Sequence, residues 1–71
     1  MKKLFSEFYD LKLFLYNNEL VVVENYKTIY EIDKNFIKID SIKIIGEGLV
    51  VTKLNNIEIE ISGVIHEISL I

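Results

Sequence analysis

The chain has 71 residues, eight lysines against eleven acidic residues, a net charge of −3, one histidine and neither cysteine nor proline. A chain this short buries only about 60% of its unfolded surface, so it is one domain that needs outside support. With no cysteine to pair and a lone His66, disulfide and metal staples are excluded, which leaves a partner subunit or a second copy as the expected support. The acidic balance argues against nucleic acid, which requires a basic face, and no apolar run reaches the roughly 20 residues that span a bilayer.

Half of the residues are hydrophobic (51%) and isoleucine dominates them. Such β-branched composition favours strands over helices. Met1 to Asp10 is a leading segment in which Leu4, Phe5, Phe8 and Tyr9 share one side at helical spacing. Ten residues do not hold a helix alone in water, so this piece is expected to dock, as a lid over the sheet or as an arm that meets a partner or a membrane surface. Glu7, Asp10 and Lys12 interrupt its apolar character and no small-residue cleavage site follows, which argues against a signal peptide.

LKLFLY and ELVVVE flank Asn17-Asn18, a pair suited to a tight hairpin because asparagine tolerates positive φ. A two-residue turn sets Leu15 opposite Leu20, Phe14 opposite Val21, Leu13 opposite Val22 and Lys12 opposite Val23. Both faces of this hairpin are then apolar, which predicts an interior position or an interface. Glu24 to Lys27 reads as a connection. TIYEID and FIKID follow around Lys34-Asn35, with Ile32 opposite Ile37, Tyr30 opposite Ile39 and Glu31 facing Lys38 as a cross-strand ion pair.

Tight turns at Asp40-Ser41 and Glu47-Gly48 then pair Ile39 with Ile42, Ile37 with Ile44 and Ile44 with Val51. Around Asn55-Asn56 two registers compete. A two-residue turn pairs Leu54 with Ile57 and Glu58 with Lys53. A three-residue loop, Leu54 to Asn56, pairs Val51 with Ile59 and Leu49 with Ile61. The second is preferred because it keeps Ile57, Ile59 and Ile61 on the aliphatic face, with Asn56 taking the left-handed position. It also puts Thr52, Glu58 and Glu60 together on the other side, and leaves Lys53 to snorkel from the apolar side. Gly63 has two readings. As a hairpin turn it places Val64, His66 and Ile68 inside; as a bend in one strand it places Ile65 inside and recovers Ile68 and Leu70 through a bulge.

One face thus collects Tyr30, Ile32, Ile37, Ile39, Ile42, Ile44, Leu49, Val51, Ile57, Ile59 and Ile61. The expected fold is all-β: an antiparallel β-meander of about seven or eight short strands, forming a small sandwich or half-open barrel, with a short β-solenoid as the alternative. No proline guards the edges, so copies are expected to associate strand to strand.

The search for chemistry ends without a catalytic set. Glu58 and Glu60 alternate with isoleucine, which puts two carboxylates on one face about 7 Å apart, a spacing near that of a glycosidase pair. Alternating glutamates are commonly just a solvated strand face, and that is the reading adopted. Glu67 beside His66 points to the opposite face and makes no dyad. Gly46-Glu47-Gly48 lacks the following helix that a phosphate cradle needs. No cofactor and no metal are expected. The candidate interaction surface is Phe5, Phe8, Tyr9, Phe14, Tyr16, Val21 and Val23.

Val23-Glu24-Asn25-Tyr26-Lys27 followed by Ile29 and Tyr30, and the later spacing of Ile44, Gly46, Leu49, Val51, Leu54, Ile59, Ile61, Gly63, Ile65 and Ile68, resemble the YabP/YqfC family of sporulation proteins. The resemblance runs from about Leu11 to the end. It departs at Thr28, where the family usually has glycine, in the shorter Asp40-Ser41 link, and at Leu70, where the family has an aromatic. It implies a non-enzymatic role in the mother-cell cytoplasm, in spore-coat or envelope assembly alongside a membrane-bound sporulation partner.

Overall fold

The structure is a computed structural model and describes residues 11–71; the leading segment 1–10, with its expected helix, lies outside them. The described chain is all-β: β1 (Lys12–Tyr16), β2 (Leu20–Glu24), β3 (Ile29–Ile32), β4 (Phe36–Ile39), β5 (Ile42–Leu54) and β6 (Glu58–Leu70). They form one open antiparallel sheet in the order β1-β2-β6-β5-β4-β3. The meander expected from the pattern is therefore present, with β6 returning to pair with β2. Antiparallel pairing throughout distinguishes it from a solenoid's stacked coils.

Six strands replace the expected seven or eight because two glycine-containing stretches bend strands instead of turning the chain. β5 and β6 each run 13 residues and pair along their length, with shifts at Ile45/Gly46, Glu47/Val50 and Val51/Lys53. Glu47-Gly48 is a bulge, so Ile44 faces Ile68 and not Val51. Gly63 is a bend at φ 141°; Ile65 is buried behind it and His66 is exposed, which realises the second of the two readings. Leu70 stays 80% exposed.

The flanking hairpins explain why the ribbon bends where it does. The Glu19 carbonyl accepts from the Gly63 amide at 3.1 Å and Asn18 O from Ile65 N at 2.9 Å. At the other end, Asn35 O accepts from Gly46 N at 2.9 Å and Lys34 O from Leu49 N at 2.8 Å. Each hairpin tip thus satisfies strand amides that the bulges release from the β5–β6 ladder.

Asn17 and Asn18 both adopt positive φ, 51° and 56°, and Glu19 N bonds Tyr16 O at 2.9 Å, as the tight turn requires. Glu19 is nevertheless extra: Tyr16 pairs with Leu20, Leu15 with Val21, Phe14 with Val22 and Leu13 with Val23. The expected register was one residue off, because Glu19 turns its carbonyl toward Gly63 and drops out of the ladder. Ile32–Ile37, Glu31–Lys38, Ile39–Ile42 and Ile37–Ile44 stand in the expected register, but Glu31 and Lys38 do not close the expected ion pair, the Lys38 ammonium lying over the Phe36 ring. Tyr30 is out of the expected register; it sits at a register shift, Ile29 takes its place opposite Ile39, and Tyr30 is 67% exposed.

Neither register proposed at Asn55-Asn56 forms. Asn55 N donates to Glu58 O at 3.0 Å, and Asn55 Oδ1 accepts from the amides of Ile57 and Glu58, both at 2.8 Å. This Asx arrangement centres the turn on Asn56-Ile57, pairs Leu54 with Ile59 and Val51 with Ile61, and leaves Ile57 60% exposed. Asn56 is not among the positive-φ residues.

The core joins four strands: Val21 and Val23 of β2, Ile37 and Ile39 of β4, Ile42, Ile44 and Leu49 of β5, and Ile59, Ile61 and Ile65 of β6. Seven of these side chains are fully buried. Of the expected face, Tyr30, Ile32 and Ile57 are exposed and Val51 is half-buried. The β2–β3 connection is tied down by polar atoms. Asp40, at φ 51°, accepts from Thr28 N at 2.8 Å and Lys27 N at 3.1 Å. The Tyr26 hydroxyl donates to Asn55 O at 2.5 Å.

Candidate interaction surface

The sheet buries one face, so the other carries whatever the chain shows to partners. On that outer face the registers line up a row that crosses four strands: Tyr16 opposite Leu20, Leu20 opposite Ser62, Ser62 opposite Val50. A second row lies beside it: Phe14, Val22, Glu60 and Lys53, in which Val22 is itself buried. Val64, opposite Glu47, extends the apolar area past the bend. Phe14, Tyr16, Val50 and Val64 are 40%, 51%, 57% and 53% exposed. Ser62 in the first row and Glu60 and Lys53 in the second stand between the apolar side chains of β1 and β2 and Val50 of β5.

Of the expected surface, Phe14 and Tyr16 are exposed on the outer face. Val21 and Val23 are not: both are fully buried in the core. The Glu19 bulge shifted the pairing by one residue, so Phe14 shares its face with Val22 and not with Val21. Phe5, Phe8 and Tyr9 lie outside the described residues. Leu20, Val50 and Val64 were missed. Alternation did hold a signal for two of them: Leu49 and Val51 on the core face turn Val50 outward, and Ile65 inside the bend turns Val64 outward.

The surface has polar borders. Glu58 holds Lys53 Nζ at 3.1 Å, and this hydrogen bond, then the carboxylate's charge, raises the Lys53 pKa above its ordinary value. Lys53 was expected to snorkel from the apolar side. The extra residue at Thr52 instead places it opposite Glu60 on the outer face. The Thr52 hydroxyl reaches Glu60 Oε1 at 3.0 Å, as their expected common side implies. Both glutamates weighed as an acid–base pair are thus engaged by neighbours.

His66, at the bulge, pairs across the ribbon with Glu47 at 2.6 Å, a partner the sequence reading did not identify. The far end of the outer face differs. Lys38 and Lys43 stand directly opposite one another, and both ammonium groups approach the Phe36 ring, 6.0 and 5.2 Å from its centroid. The ring face offsets part of their mutual repulsion. Among the described residues no group of three or more acidic, histidine or cysteine side chains is placed to hold a metal ion, and no helix is long and apolar enough to cross a membrane.

No family model matches the chain, and neither the curated proteins nor the solved structures contain a match. One residue of the resembling segment does have a clear structural role. Asn25 takes the left-handed conformation at φ 63° and its amide donates to Ile57 O at 2.6 Å. Thr28 is not at positive φ, so the backbone makes no demand for the glycine usual in the family.

Proposed function

We propose that this chain is a non-catalytic interaction module of endospore formation, acting in the mother cell in spore-coat or envelope assembly with a membrane-bound sporulation partner. The process rests on the resemblance of Val23 to Tyr30 and of the Ile44 to Ile68 spacing to the YabP/YqfC family. The interaction role rests on one observation: the outer-face row Tyr16–Leu20–Ser62–Val50, apolar except for Ser62, in which Tyr16 and Val50 are 51% and 57% exposed opposite the core. Covering that row removes apolar surface from water at about 25 cal/mol per Å², the usual driving force for a protein partner.

A pull-down from sporulating cells with the tagged chain tests this reading. The wild type should retain a membrane-fraction sporulation protein, and Val50→Lys should lose it while melting at the same temperature. Equal recovery by both chains refutes the row, and normal, resistant spores after deletion of the gene refute the process. A second reading, a self-associating β-module unrelated to sporulation, is favoured by the edge of β1, which no other described strand pairs.

A further inference from the structure

Among the described residues, four stretches of strand have an unpaired edge: β1, β3, and the halves of β5 and β6 that no hairpin flanks. Three of them are blunted by an irregularity, which disfavours further pairing. β3 is shifted between Ile29 and Glu31, β5 between Val51 and Lys53, and β6 lies at the shift that leaves His66 opposite no residue. β1 alone is regular, since its five residues pair with β2 without a break. It holds no proline and one charge, Lys12. Its alternate amides and carbonyls face outward, as in any edge strand.

We infer that two copies of this chain join through their β1 edges, antiparallel about a two-fold axis at Phe14, into one continuous sheet. A two-fold axis perpendicular to the sheet requires paired residues to share a face, and centring on Phe14 pairs the whole strand. Phe14 then meets its own copy, Leu13 meets Leu15, and Lys12 meets Tyr16. Each pairing is favourable: aromatic on aromatic, aliphatic on aliphatic, and a cation beside a ring. A second copy is favoured over an unrelated strand because KLFLY is self-complementary about Phe14, and the added strand also borders Leu15, which lies on the core face at the end of the sheet and is 44% exposed. A chain of this size with no disulfide is the kind that gains stability from a partner subunit.

The test is a charge exchange at the axis, in the full chain. Phe14→Lys and Phe14→Glu each place like charges opposite one another, so each should weaken dimerisation about tenfold or more in sedimentation equilibrium. An equimolar mixture of the two should recover the dimer, because lysine then faces glutamate. A wild type that is monomeric at about 100 μM, variants that dimerise like the wild type, or a mixture that stays monomeric would each overturn the proposal. Hydrogen exchange on the unaltered chain is a check that does not depend on the variants folding. Alternate amides within Lys12–Tyr16 should slow as concentration rises, and concentration-independent exchange there also refutes the edge. Partner capture reads Val50, away from this axis, so failure of one proposal leaves the other standing.

Discussion

Gly46 passes directly beneath the carbonyl of Val64: a Cβ built on Gly46 would lie 2.1 Å from that oxygen and 2.9 Å from Leu49 Cδ2. Neither the backbone nor the buried leucine can withdraw without opening the β5–β6 ladder at the bend. Gly46→Ala is therefore expected to cost about 3 kcal/mol or more, beyond the usual overpacking range of a flexible site. A domain this small holds on the order of 5 kcal/mol in total. Urea titration followed by circular dichroism should show most of the native state lost, and a midpoint near the wild type would contradict the close approach. Gly63→Ala should behave similarly, since Gly63 combines φ 141° with a Cβ site 2.8 Å from Gly48 O.

The turn at Asn56-Ile57 makes two isoleucines of one alternating run unequal. Ile61 is fully buried and Ile57 is 60% exposed. Ile61→Ala should destabilise by about 2–5 kcal/mol, whereas Ile57→Ala should stay within about 0.5 kcal/mol. Equal losses in a denaturant series would restore the register in which Ile57 faces inward.

Asp40 joins two demands in one residue. It occupies the left-handed region and its carboxylate accepts from two successive amides, Lys27 and Thr28. Asp40→Ala loses both features and should cost about 1–3 kcal/mol. Asp40→Asn keeps an acceptor and a residue tolerant of this φ, so it should lose less than half as much. Thermal melts of the pair check the order, and an asparagine variant no better than alanine would put the stabilisation elsewhere.

The Lys53–Glu58 pair sets the direction of an alkaline effect. Glu58 raises the Lys53 pKa in the folded state, so the folded state holds this proton more tightly than the unfolded chain. Its contribution is present in full below the ordinary lysine pKa and is lost as pH rises through the folded value. The stability gap between the wild type and Glu58→Gln should accordingly narrow at strongly alkaline pH, and nuclear magnetic resonance titration should find Lys53 titrating lower in the variant. A gap that widens with alkalinity contradicts the pairing.

The local features that proved readable were those decided by neighbours in sequence. Asn17-Asn18 turns because both asparagines accept positive φ, and Asp40-Ser41 turns as the pairing of Ile39 with Ile42 requires. The registers Ile32–Ile37 and Glu31–Lys38 follow from alternation across a short link. The misplacements share one cause. Glu19, Tyr30, Thr52 and the Glu47–Gly48 stretch are each extra residues in a ladder, and an extra residue reverses which side chains face out beyond it. Hence Val21 and Val23 moved from the expected surface into the core.

By itself the sequence determined the strand-forming composition, an antiparallel all-β class, the isoleucine-rich core and the absence of disulfides. These follow from side-chain branching, two-residue alternation and the residues simply present. Tertiary structure alone decided that Gly46 and Gly63 bend two long strands instead of ending four short ones. Each hairpin tip must find amides to bond, and Glu19 O and Asn35 O find them on Gly63 and Gly46, residues far away in sequence. That long-range satisfaction of backbone hydrogen bonds sets the registers, and the registers set which apolar residues are left for a partner.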